Sequence, residues 1–245
     1  MALATSISLP TIRHPVVLAK WLSTLGNLSN NRIIAGLRPG SSRADYDAVG
    51  KSFEDRWATF DDAFRFTRAA VRGEPLPSRG HYQIGDLRLS PLPATPPEVW
   101  FGSWGSHARL RSLAAVADGW MASGYNTSPA RFADARRRLD GHLRACGRDP
   151  AEFPDLIATM WFYVTEQPED AQRVRELMSG VLRRDRDGLA AQLPLGAPDH
   201  CAELLEEYAD VGAHQVVLWP IREPSAQLHR FHEWSCPGSA TCEMR

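Results

Sequence analysis

Short apolar runs alternate along the whole chain with segments whose apolar residues recur at helical spacing. Residues 2–9, 32–37, 98–102, 119–123, 156–164 and 215–220 read as strands. The segment from Pro15, a residue suited to the first helical position, to about residue 28 reads as a helix with Val17, Leu18, Trp21, Leu22, Leu25 and Leu28 on one face. A glycine- and serine-rich loop follows the second strand. Ser52 and Asp55 then open a helix in capping-box style, continued by Phe53, Trp57, Phe60, Phe64 and Val71. Further helices are predicted at about 106–117, at 128–146 behind the Ser128-Pro129 cap, at 168–183 and at 198–211. Leu228, Phe231 and Trp234 mark a last one. Residues 73–97, punctuated by prolines, read as a long connecting excursion with a small hairpin at 81–89.

A strand that must be followed by a helix before the next strand begins dictates a parallel sheet covered by helices. The fold class expected from this pattern is therefore α/β, with about six parallel strands and surrounding helices, short of a closed (β/α)8 TIM barrel. Six strand–helix units are counted, whereas closure takes eight, in roughly 250 residues. The expected organisation is one domain over residues 1–234 and an irregular tail over 235–245.

Composition narrows the function classes. With 43% apolar and 23% charged residues the chain is not a disordered one. A net charge of -1 leaves no global footprint for nucleic acid or an anionic membrane. The longest apolar runs, Pro15–Ala19 and Val216–Trp219, are too short to span a bilayer. The first residues lack a basic region and a cleavage site, so a cytoplasmic location is expected. Four cysteines are too sparse for a disulfide scaffold. Lys20 and Lys51 are the only lysines, and the run Arg136-Arg137-Arg138 is expected to solvate a helix face.

Four segments carry a resemblance: LATSISLPTIRHPVVLAKWLSTLGNLSNNRIIAGL, PGSSRADYDAVGKSFEDRW, VWFGSWGS and AVADGWMASGYNTSP. In that order they resemble the bacterial luciferase-like flavin-dependent monooxygenases, a family that includes deazaflavin (F420)-dependent oxidoreductases. The resemblance runs from about residue 2 to about residue 233. It implies a (β/α)8 barrel in which residues 2–9 fall on the third strand, so that the first two strand–helix units are missing. It also implies a flavin-type cofactor, FMN or alternatively F420, and a small organic substrate that is oxygenated or reduced. No GxGxxG fingerprint is present, so the reduced cofactor is expected to come from a separate flavin reductase or through transient binding of nicotinamide. The open sheet edges of a shortened barrel imply pairing into a homodimer or higher oligomer. A flavin-binding protein without turnover, or an inactive truncated member, is the alternative.

Barrel enzymes place their chemistry at the carboxyl ends of the strands. In the family, the first strand present here carries a bulge, often with a non-proline cis peptide, that supports the flavin's central ring; by position this is Ser6–Ile7. Arg38 and Gly40 leave the second strand, where the luciferase branch has an arginine on the cofactor phosphate. Ser103, Trp104, Gly105 and Ser106 form a turn into a helix, whose backbone N–H groups and dipole favour a phosphate. Met121–Ser123 and Trp219-Pro220 are expected to line the substrate face, and Trp100, Trp120 and Trp161 to be core. His14 is expected to cap or pack, and Asp118 to be a turn residue. The H-x2-H-x3-C-x5-C pattern of His229, His232, Cys236 and Cys242 is read as part of a frayed tail rather than a metal site. In the family, groups beside the flavin's reactive edge come largely from the first two strands, so no catalytic acid or base is assigned.

Overall fold

The computed structural model describes residues 2–85 and 87–235. The first half of the chain runs β1 (Leu3–Ala4), α1 (Pro15–Ser29), β2 (Ile33–Leu37), α2 (Arg43–Asp47), α3 (Arg56–Arg72), β3 (Glu98–Ser103) and α4 (His107–Val116). It continues with β4 (Gly119–Ser123), α5 (Pro129–Ala145), β5 (Asp155–Val164), α6 (Pro168–Leu182) and α7 (Arg186–Ala190). Then follow β6 (Leu195–Gly196), α8 (Pro198–Asp210), β7 (Val216–Pro220) and α9 (Pro224–Ser235). The chain divides into two compact units, residues 1–102 with 116–120 and residues 103–115 with 121–245.

In the first unit β1, β2 and β3 pair in parallel, with Leu3 opposite Ile33 and Ile34 opposite Glu98. β1 is shorter than expected because the chain leaves the ladder after Thr5, whose N–H still donates to Ile34 O, and rejoins it at Ser8, which bridges Leu37. α1 buries Leu18, Ala19, Leu22 and Gly26, and packs against α3. The expected single face is in fact split: Val17, Trp21, Leu25 and Leu28 form a stripe directed to solvent. Phe60 and Phe64 of α3 close on Phe101 of β3 at centroid distances of 4.9 and 5.2 Å. Each such fully buried ring contributes roughly 1.5–3 kcal/mol of transfer free energy. The helix expected from Ser52 starts instead at Arg56. Ser52 Oγ does accept the Asp55 N–H, but in the turn before the helix. Part of the predicted glycine–serine loop forms α2, capped by Ser42. No strand forms among the described residues of 81–89, so the expected hairpin is absent there.

Asp118 is more than the turn residue expected. Its Oδ1 accepts from Arg68 at 3.1 Å and Arg72 at 2.9 Å, and its Oδ2 accepts the Val99 N–H, so α3 is tied to the base of β3.

In the second unit β5 is paired in parallel with β6 on one side and β7 on the other. The pairing slips between Ile157 and Met160, where Thr159 takes a φ of 55°. Phe162, Val164 and Cys201 form a core with Leu218 and Phe231 against it. α5 begins as predicted, with Ser128 as cap and Pro129 in its first turn, and buries Phe132, Ala135, Leu139 and Leu143. Arg137 and Arg138 are exposed, but Arg136 corrects the expectation of a solvated run. Its guanidinium pairs with Asp140 and the fully buried Asp155, and also donates to the carbonyls of Pro150 and Phe153. β6 and α7 were not legible in the sequence, being two and five residues long. Cys236 and Cys242, and with them most of the expected tail, lie outside the described residues.

Candidate cofactor site

In the first unit the carboxyl ends of β1, β2 and β3 converge. The Ser6–Ile7 peptide is cis, as the resemblance implies. On either side of it, Thr5 N–H donates to Ile34 O at 3.0 Å and Ser8 N–H to Gly36 O at 2.9 Å, while Arg38 N–H returns to Ser8 O. Residues 6 and 7 therefore stand out of the ladder while both flanks are held in it. A β-carbon on Gly102 would lie 3.2 Å from Ile7 Cδ1, 3.3 Å from Arg38 Cβ and 3.3 Å from Leu37 O. A side chain there would press on all three, and each would have to give by a few tenths of an ångström, so the glycine lets these chains approach closely. Ser6 Oγ is buried and has no hydrogen-bond partner among the described residues. An unsatisfied buried hydroxyl costs about 1–3 kcal/mol, and an acceptor on a bound ring would recover it.

Arg38 is half-buried and Gly40 takes a φ of 84° with Leu9 packed over it. The loop between them is fixed from below. The hydroxyls of Thr11 and Tyr46, both buried, touch each other and both reach the carbonyl of Pro39. Lys51 Nζ donates to Thr11 O at 2.9 Å. Burial pushes the Tyr46 phenol above its usual range, partly offset by the Thr11 hydrogen bond. Sequence reasoning missed this clamp, because its members are brought together only by the fold. His14 caps α1 by accepting the Val16 N–H and packs edge-on against Tyr82, in line with the expectation.

In the second unit the turn from Ser103 to Ser106 leads into α4. Ser103 is buried and its Oγ accepts the Gly105 N–H at 3.3 Å, closing the turn on itself. Gly105 takes a φ of 82°, a left-handed conformation that a side chain disfavours. The Ser106 carbonyl accepts from the amides of Arg109 and Leu110, starting the helix. Trp104 is 56% exposed. The fold thus brings Ile7 and Arg38 together around Gly102, with Ser6 adjacent to Ile7 in the chain, and Ser103 and Gly105 together in the turn that follows.

Met121, Ala122 and Ser123 are buried; Asn126 Nδ2 donates to Ser123 Oγ, and Arg184 donates to Asn126 Oδ1 at 2.6 Å. Trp100 and Trp120 are core, as expected. Trp161 is not: it is half-buried, edge-on to Trp219 at 5.0 Å, and its buried Nε1 has no hydrogen-bond partner among the described residues. No group of three or more metal-ligating side chains is assembled among the described residues.

Comparison with known proteins decides the family. The profile of the luciferase-like monooxygenases matches residues 1–182. The chain belongs to that family. An F420-dependent glucose-6-phosphate dehydrogenase of Beutenbergia cavernae is 30% identical over 263 residues, covering 96% of this chain and 77% of its own. An FMNH2-dependent dimethylsulfone monooxygenase of Pseudomonas fluorescens is 28% identical over 123 residues, 49% of this chain and 33% of its own. Among solved structures, an F420-dependent secondary alcohol dehydrogenase bound to an F420–acetone adduct superposes with a TM-score of 0.78 at 14% identity. That likeness covers 90% of this chain and 74% of the other, and shows the fold. The strand–helix alternation is that of the family's barrel, and its members are oxidoreductases that use either FMN or F420.

Proposed function

We propose that this chain is a flavin-type oxidoreductase acting on a small organic molecule in the cytoplasm, with FMN or F420 held at the carboxyl ends of the strands. The family match over residues 1–182 carries this reading. The buried, unpartnered Ser6 hydroxyl supports the placement of the ring. Ser6 and Ile7 support the tricyclic ring, and Arg38 and Gly40 form part of the cofactor's surroundings. The turn of Ser103, Trp104, Gly105 and Ser106 takes its phosphate. The cofactor supplies the redox chemistry; the protein binds it, orients the reactants and excludes water. With FMN, a separate reductase delivers the electrons. Similarity to an F420-dependent enzyme over 96% of this chain favours F420 as a second reading, since the FMNH2-dependent dimethylsulfone monooxygenase matches 49% of it.

Self-association belongs to the same reading. Val17, Trp21, Leu25 and Leu28 expose an apolar stripe on α1, and the proposal is that a second copy covers it.

The test is titration of the purified protein with FMN and with F420, followed by their visible absorbance bands, and then substrate-dependent oxygen or hydride consumption. Binding of neither cofactor would refute the reading. Binding without consumption across substrate classes would reduce the chain to a flavin carrier.

A further inference from the structure

A cavity of about 210 Å³ lies beside the clamp that holds the 39–40 loop, lined in part by Lys51, Asp55, Thr59, His81 and Tyr82. Its inner wall offers nothing to a ligand, because the Thr11 and Tyr46 hydroxyls are already committed to Pro39. Lys51 differs. It is half-buried, spends one N–H on Thr11 O, and enters no ion pair with an acidic side chain among the described residues. An ammonium carries three rotatable donors on a compact charge, so two remain for a ligand. This chain otherwise uses arginine for nearly every basic side chain. Tyr82 and Thr59 also line the cavity, and no side-chain hydrogen bond of either hydroxyl is formed among the described residues. Tyr82 is positioned by its edge contacts to His14 and Phe66. A cation in no ion pair among the described residues and two hydroxyl residues around a small cavity are a donor set for an anionic oxygen group. The Asp55 carboxylate on the same wall disfavours a doubly charged phosphate and leaves a singly charged carboxylate as the better match.

We propose that this cavity binds the carboxylate of a small organic acid, which is the substrate class of the enzyme: Lys51 holds one carboxylate oxygen and the Tyr82 and Thr59 hydroxyls donate to the group. The word substrate rests on the oxidoreductase reading; the binding itself does not. Calorimetric titration with benzoate, and with benzyl alcohol as a ligand of similar size without the charge, tests it on the full chain in the absence of cofactor.

Benzoate is expected to bind at least about tenfold more tightly than benzyl alcohol, the size of a charge-assisted hydrogen bond. Lys51→Met is expected to weaken benzoate by about tenfold or more, Tyr82→Phe by about fivefold, and Asp55→Asn to strengthen it by a few-fold. Benzyl alcohol should respond to none of them. Should Lys51→Met lose its fold with the Thr11 contact, the Tyr82 and Asp55 variants decide alone. Equal binding of the two ligands, or benzoate affinity indifferent to Tyr82→Phe and Asp55→Asn, overturns the proposal. So does a Lys51→Met variant that loses FMN as strongly as benzoate, because the cavity would then belong to the cofactor's phosphate. A wild type that binds neither FMN nor F420 but still binds benzoate would refute the oxidoreductase reading and leave the acid site standing.

Discussion

A carboxylate with no exposed surface needs hydrogen-bonding partners in place of water. Asp155 has such a partner in Arg136, with the His214 N–H and ring also directed at it. Removing one partner strands the other. Arg136→Met is expected to destabilise the fold by about 3–5 kcal/mol, measured by urea denaturation, whereas Arg137→Met on the exposed side should stay within roughly 0.5 kcal/mol. Nothing in the sequence separates these neighbouring arginines. The distinction is made by a carboxylate 19 positions away in another element. Asp118 was opaque for the same reason, since its partners lie 50 residues upstream. Cys201 shows burial acting on chemistry. Desolvation among Phe162 and Val164 pushes its thiol up to about 11 from 9.0. A thiol whose folded-state pKa is raised adds stability that is fully present below about pH 9 and lost as the pH climbs toward 11. Peptide mapping after iodoacetamide treatment of the folded protein at neutral pH should find exposed Cys146 labelled and Cys201 intact. Labelling of Cys201 at a comparable rate would contradict its placement in the core.

At the scale of elements, what is local was legible and what is decided by packing was not. Pro15, Ser128 and Pro129 announced two helix starts because a cap and its helix are neighbours in sequence. The α1 periodicity was read correctly as helical, but which side faces the protein depends on α3, and the apolar residues divide between the two sides. β1 shrank because the cis Ser6–Ile7 segment leaves the ladder, and β6 was too short to carry a pattern. The candidate site repeats the lesson. The turn at 103–106 could be located as strand–turn–helix, while the hydroxyl clamp of Thr11 and Tyr46 could not. Tyr46→Phe removes the buried hydrogen bond to Pro39 and the one shared with the Thr11 hydroxyl, and is expected to cost about 1–3 kcal/mol on thermal unfolding. It should also weaken cofactor binding through the loop it steadies; unchanged affinity would detach the 38–40 loop from the site. Gly105→Asp combines a strained left-handed backbone with a carboxylate in the phosphate turn. It should reduce FMN affinity by more than about tenfold, and unaltered affinity would remove the turn from the proposal.

For the molecule as a whole, the alternation of strands and helices fixed the class of fold because parallel pairing leaves the chain no other return path. Kinship with the luciferase-like monooxygenases then brought the redox reading, which no single residue announces. At this scale the apolar stripe of α1 makes its own prediction. Light scattering after gel filtration should show an oligomer that the double variant Trp21→Glu, Leu28→Glu converts to monomer with its helical signal retained. A wild type that is monomeric at working concentration would refute it.

The central claim is that the carboxyl ends of the strands hold a flavin-type ring against Ser6. Its most direct measurement is the dissociation constant of FMN and of F420 for wild type and for Ser6→Ala, with stability followed in parallel. The account predicts that wild type binds at least one of the two. It predicts that Ser6→Ala binds that cofactor about fivefold more weakly while folding as well as wild type or better, because an unpaired buried hydroxyl is lost. Failure of the wild type to bind either cofactor, or a Ser6→Ala variant of undiminished affinity, would contradict it.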